Sequence, residues 1–197
     1  AQGEYIRPQS EFRDFVGTAP DNSYQPESGR YRLYVGLGCP WAHRTLVVRA
    51  LKGLEQAIAV SEVIPSAESG IWVMAQGEEN CTTLPELYAL AQPGYAGRST
   101  VPVLWDEKKK AIVNNESAEI IVMLNSEFNE WATYPELDLY PEALREKIDS
   151  WNEKIYQTVN NGVYRCGFAQ TQLAYEQACQ ALFATLDEID HVLSRDR

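Results

Sequence analysis

The chain is short of the residues that would give it a metal centre or a disulfide scaffold. Its 197 residues include two histidines, His43 and His191, and four scattered cysteines, Cys39, Cys81, Cys166 and Cys179, none in a Cys-x-x-Cys pair. A zinc site needs clustered ligands at short spacing, so no metal is expected, and unpaired cysteines read as free thiols. Basic clusters are missing too. The run Lys108-Lys109-Lys110 reads as the solvated turn of a hairpin, and the net charge is −11. Such a field repels polyphosphate, which argues against a nucleic-acid partner. No stretch approaches the roughly 18 apolar residues of a membrane span, and the polar N-terminus lacks the apolar core of a secretory signal. Those absences predict a cytoplasmic protein that does not engage membranes. The chain starts at Ala1 without Met and stops at Arg197, and it is expected to be incomplete.

What is present is a globular composition, 45% hydrophobic and 23% charged, with enough length for one large or two small domains. Residues 1–29 are polar, with Pro8, Pro20 and Pro26, and read as an irregular extension. Tyr31 to Val35 alternates and is rich in β-formers, predicting a strand. Pro40 then opens a helix to about residue 53, and 57–64 forms a second strand, which together make a βαβ unit. Residues 65–97 carry Gly70, Gly77, Pro93, Gly94 and Gly97 and read as a long loop with a helical patch near 84–90. A third strand spans 100–106, and Val101-Pro102 is a candidate cis peptide. Residues 111–113 pair with it, and a helix follows over 118–125.

This order, βαβ then ββα, is that of a thioredoxin-like α/β domain with a mixed sheet over residues 30–128. A linker spans 129–140, and from 141 to 197 the pattern is helical. Leu144, Ile148, Trp151, Ile155 and Val159 form one amphipathic stripe, and Ala178, Leu182, Leu186, Ile189 and Leu193 another.

Cys39 holds the most chemistry. It sits between the glycine turn Gly36–Gly38 and Pro40, a favoured first helical residue, and so at the N-cap. Unpaired backbone N–H groups and the positive end of the helix dipole face that position, which favours a thiolate. The plainer alternative is a small buried residue ahead of a helix. A thioredoxin-like fold with Cys39-Pro-Trp-Ala42 cannot close an internal disulfide there. Its sulfur can form only a mixed disulfide that an outside thiol must resolve, and glutathione is the thiol expected.

Four segments carry a family resemblance: Cys39-Pro-Trp-Ala-His-Arg44, Thr100-Val-Pro-Val-Leu-Trp-Asp106, Ile112-Val-Asn-Asn-Glu-Ser-Ala-Glu-Ile-Ile121 and Asn160-Asn-Gly-Val-Tyr-Arg-Cys-Gly-Phe-Ala169. Together, over essentially the whole chain, they resemble the glutathionyl-hydroquinone reductases, the xi-class or omega-like glutathione transferases. The resemblance implies a thioredoxin-like domain followed by an all-α domain, here truncated, usually in a homodimer. The activity it implies is glutathione-dependent reduction of glutathionyl-hydroquinones, with glutathione as co-substrate. It makes Cys39 the nucleophile and Tyr164 a phenol of the electrophile pocket. It makes Glu116 and Ser117 a glutathione-binding pair, Glu116 taking the ammonium while Ser117 caps the helix whose first amides bind the γ-glutamyl carboxylate. Val101, beside Pro102, would offer its backbone to the cysteinyl unit. Trp72, in the long loop, and Arg98, toward the glycyl carboxylate, complete the set. Family members continue past Arg197, where two further tyrosines of the pocket would lie. His43, Cys166 and Cys179 read as packing or surface residues. Two other readings remain, a general thioltransferase or dehydroascorbate reductase, and a non-catalytic carrier of glutathione conjugates.

Overall fold

A computed structural model describes residues 3–195. They fall into two units. Ser10–Leu139 form one, and the second takes the chain up to Gln9 and again from Tyr140 onward.

The first unit runs β1 (Tyr31–Val35), α1 (Pro40–Lys52), β2 (Ile58–Pro65), β3 (Trp72–Glu78), β4 (Cys81–Thr83), α2 (Leu84–Ala91), β5 (Val103–Asp106), β6 (Ala111–Asn114) and α3 (Ser117–Ser126). The strands make a single sheet in the order β4-β3-β2-β1-β5-β6. β1 and β2 are parallel, Tyr31 opposite Ile58, with α1 as their crossover, and every other pairing is antiparallel. Tyr31, Leu33, Tyr34 and Val35 of central β1 are all buried, as expected of a strand covered on both faces. α1 packs against α3, while α2 contacts β3, β4 and β6.

Residues 65–97 are not the irregular loop the glycines suggest. β3 pairs with β2, Val63 opposite Met74 and Pro65 opposite Trp72, and folds back into β4. The turn places Glu79 (φ 55°) and Asn80 (φ 58°) in the left-handed region, the backbone of a tight hairpin turn. Gly77 lies in β3 where the β3–β4 register shifts, so it marks a bulge rather than a loop. α2 begins on a capping box, Thr83 accepting from the Glu86 amide while the Glu86 carboxylate accepts from the Thr83 amide at 3.1 Å. β5 begins at Val103 rather than residue 100, preceded by the cis Val101–Pro102 bond.

The extension and the linker divide differently from the sequence pattern. The stretch from Phe12 to Asp14 runs antiparallel to β6, the Asp14 amide donating to the Val113 carbonyl and the Asn115 amide to that of Phe12, both at 3.0 Å. It therefore covers a sheet edge that would otherwise present unpaired backbone groups. The segment after α3 adheres to the end of α1. Lys52, fully buried, donates from Nζ to the carbonyls of Pro135 (3.3 Å) and Leu137 (2.6 Å). Burial pushes its ammonium group down from the usual lysine range.

The second unit holds α4 (Arg145–Ile155), a π-helical turn (Tyr156–Asn160), α5 (Gly162–Gly167) and α6 (Gln172–Arg195). The stripe read as continuous from Leu144 to Val159 is thus broken by the π-helical turn. On α6 the stripe is covered only at its start. Ala178 is 2% exposed, whereas Leu186 and Leu193 are 38% and 59% exposed. Residues near the N-terminus join this unit: the Gln170 amide donates to the Gly3 carbonyl at 3.0 Å, Glu4 pairs with Arg165, and the Tyr5 ring lies 5.2 Å from that of Phe168. Among the described residues no helix is long and apolar enough to cross a membrane, and no group of three or more His, Cys, Asp or Glu could hold a metal ion.

Candidate active site

Cys39 occupies the N-cap of α1 in extended conformation (φ −98°, ψ 115°), followed by Pro40 at the start of the helix. Its carbonyl accepts from the His43 amide at 3.0 Å, so its backbone closes the first helical turn. Its side chain makes no capping bond and leaves that turn's amides open. The half-buried sulfur lies 3.9 Å from the carbonyl oxygen of Val101. A residue at the head of α1 and one ahead of β5 thus meet across 62 positions of sequence.

A side chain absent from the sequence reading holds this juncture. The Tyr88 hydroxyl, on α2, donates to the Thr100 carbonyl (2.8 Å) and accepts from the Thr100 amide (3.3 Å) and from Asn115 Nδ2 (3.0 Å). It ties the strand entry bearing Val101 to the loop bearing Glu116. Burial pushes its phenol up, so the hydroxyl keeps its proton for the Thr100 bond.

Glu116 and Ser117 stand at the head of α3, but the cap expected of Ser117 is made by Glu116. Glu116 is the N-cap (φ −104°, ψ 109°), its carboxylate accepting from the Ala118 amide at 3.3 Å and from the Ser10 hydroxyl at 3.0 Å. Ser117 is already helical and buried, and its hydroxyl accepts from Arg44 Nε (2.9 Å) and Nη2 (2.7 Å). The cap follows the residue whose backbone is extended, and that is Glu116. Arg44 Nη2 also lies 3.8 Å from Glu116 Oε1, and its guanidinium sits over the Trp41 ring at 5.3 Å. Arg44 was missed because its partners lie 73 residues on; the only trace was its place five residues after Cys39.

Trp72 is the first residue of β3, not a loop residue, and its ring packs on the turn before Cys39. A methyl group added to Gly36 would fall 2.6 Å from two of its ring carbons. Arg98 is exposed, and its carbonyl accepts from the Tyr95 hydroxyl at 3.2 Å. Pro102 is buried and Val101 nearly so. Tyr164 belongs to the other unit, on α5, half-buried, with its ring 6.4 Å from Tyr5 and the Arg7 guanidinium 5.0 Å above it. His43 is exposed on α1.

A cysteine heading the first helix of a βαβ unit, facing the segment before a cis-proline, places the chain among thiol proteins of the thioredoxin fold. The known-protein comparisons narrow this. The model of the glutathione S-transferase N-terminal domain matches residues 38–127. The glutathionyl-hydroquinone reductase PcpF of Sphingobium chlorophenolicum is 44% identical over 98% of this chain and 63% of its own length. Glutathione transferase Xi 1 of Trametes versicolor, a crystal structure, is 47% identical, covers 94% of this chain and 67% of its own, and superposes with a TM-score of 0.88. The glutathione-bound structure of YqjG from Escherichia coli K-12 is 45% identical over 94% of this chain and 64% of its own, with a TM-score of 0.84. The chain belongs to the xi-class glutathione transferases. It spans 63–65% of the length of the first curated relatives.

Proposed function

We propose that this chain supplies the glutathione-binding and thiol chemistry of a glutathionyl-hydroquinone reductase. The observation that carries the reading is Cys39 at the open end of α1, 3.9 Å from the Val101 carbonyl, in the unit that also holds Glu116, Ser117 and Arg44.

In the bound state, glutathione lies along the strand entry with its cysteinyl unit against the backbone of Val101, next to Pro102, as an added antiparallel strand. Its γ-glutamyl carboxylate meets the α3 amides and the Arg44 guanidinium, and its ammonium meets the Glu116 carboxylate. Trp72 walls the site on the side of the glycine turn, and Arg98 reaches the glycyl carboxylate. The Cys39 thiolate attacks the sulfur of a glutathionyl-hydroquinone. A sulfur–sulfur bond forms and the carbon–sulfur bond breaks, its electron pair passing to the ring carbon, which takes a proton. Tyr164 assists by hydrogen-bonding the ring oxygen during tautomerisation. A second glutathione thiolate then attacks the Cys39 mixed disulfide, releasing glutathione disulfide and restoring the thiolate. The net reaction oxidises two glutathione units to the disulfide and reduces the conjugate to free hydroquinone. The family resemblance extends the reading to a cytoplasmic homodimer.

The test is incubation of the protein with glutathionyl-menadione, followed by mass spectrometry and then addition of glutathione. A glutathionyl adduct on Cys39, cleared by glutathione with release of the free naphthohydroquinone, is the expected result, and Cys39→Ser should abolish it. Adduct formation from glutathione disulfide but not from the conjugate would replace this reading with a general thioltransferase. Conjugate bound and unchanged would make the protein a carrier.

A further inference from the structure

The helical unit carries two thiols that the chemistry of Cys39 does not use. Cys166 lies on α5 and Cys179 on α6, both free and half-buried. The two helices form a hairpin joined by the short stretch 168–171, α5 packing against the first turns of α6. The register of that packing is marked by Gly162, which lies against Leu182: a methyl group added there would touch Leu182 Cβ at an ordinary 3.6 Å. One turn further along α5 is Cys166. One turn back along antiparallel α6 are Ala178, 2% exposed, and Cys179. The packing therefore brings Cys166 and Cys179 to the same level of the hairpin, near enough for Cys179 to act on the charge of Cys166. Burial, together with its neighbour Cys179, pushes the Cys166 thiol up, which slows its reaction with oxidants relative to a free thiol.

We propose that Cys166 and Cys179 are a dithiol oxidation site, closed to an intramolecular disulfide by a small-molecule disulfide such as glutathione disulfide. One thiolate attacks a sulfur of glutathione disulfide, forming a mixed disulfide and expelling one glutathione thiolate. The second cysteine, as thiolate, attacks the protein sulfur of that mixed disulfide and expels the other glutathione. Two protein thiols give one protein disulfide, glutathione disulfide gives two glutathione molecules, and the two protons leave with them. The bond would join α5 to α6 two residues after Tyr164.

The inference does not depend on the proposed turnover, so it is tested in Cys39→Ser protein. That protein is incubated with glutathione disulfide, denatured and alkylated with N-ethylmaleimide, and its mass and digest are read. The expected result is loss of two of the three remaining alkylation sites, an intact mass below that of the reduced, fully alkylated protein by two maleimide units and two hydrogens, and a cross-linked peptide pair containing Cys166 and Cys179. Cys166→Ser and Cys179→Ser, each confirmed folded by circular dichroism, should instead stop at a single glutathionyl adduct on the surviving cysteine. Three alkylated cysteines after oxidation, a stable mixed disulfide with both cysteines present, or a bridge to Cys81 would each overturn the proposal. Absence of turnover in the reduced native protein, with the disulfide still forming in Cys39→Ser, would count against the proposed function alone.

Discussion

The side chain that joins the two halves of the site is Arg44, which donates twice to the Ser117 hydroxyl while its plane rests on Trp41. A guanidinium held this way is pre-oriented for a carboxylate at the head of α3, and charge-assisted bonds of that kind contribute about 1.5–3 kcal/mol. Arg44→Gln should therefore weaken glutathione binding by roughly 10- to 100-fold in titration calorimetry. The rate of Cys39 alkylation by iodoacetamide, a reagent with no carboxylate to recognise, should stay within a factor of about two. Equal loss in both would mean that Arg44 shapes the fold of α1 rather than the ligand contact. At this scale the sequence was informative where chemistry is local. Cys39 announces itself through the residues on either side. The cap of α3 could not be assigned, because Glu116 and Ser117 are both competent caps and only backbone angles choose between them. The roles of Arg44 and Tyr88 were not legible because their partners are remote in sequence; Arg44 showed only as the end of the motif that begins at Cys39.

Elements place these groups, and the glycine turn ahead of α1 is the most exacting of them. Gly36 is buried under the Trp72 ring, so the start of β3 and the loop before Cys39 share one volume. The sequence pattern put Trp72 in a loop because Gly70 and Gly77 flank a segment with little strict alternation; what makes it a strand is pairing with β2, which no local pattern reports. Gly36→Ala is predicted to push the indole away and reopen the turn. The cost should be about 1–3 kcal/mol in urea denaturation, the range for overpacking. Glutathione affinity should fall with it, and tryptophan fluorescence should shift red as the ring gains water. A variant with unchanged emission and unchanged affinity would show that the contact is incidental.

For the molecule as a whole, pH is the variable that separates structural charges from catalytic ones. With a net charge of −11, the protein gains from acidification as repulsion fades, yet its internal ion pairs oppose this. Asp106 is the decisive group. It is fully buried at the end of β5, accepts from Arg30 Nε at 3.1 Å and Nη2 at 2.6 Å, and from the amides of Lys108 (2.9 Å) and Lys109 (3.2 Å). Burial alone would raise its carboxyl, but the Arg30 bonds and those amides prevail and hold it below the ordinary 3.8. The folded state therefore binds this proton less readily than the unfolded chain. Stability from the pair is complete above about pH 4 and drains away as the pH falls through the folded value. Asp106→Asn leaves the Arg30 charge nearly buried without its counter-ion and should cost about 3–5 kcal/mol at pH 7. Urea denaturation of both proteins from pH 7 to 2.5 should show the native curve descending toward that of the variant below about pH 4. Parallel curves across that range would mean that Asp106 contributes its amide contacts rather than its charge, and that the acid limit is set by Glu119 and Glu107, which burial would raise but which are held low, Glu119 by Arg13 and Asn114 and Glu107 by its hydrogen bond with Glu79 and its pairing with Arg32.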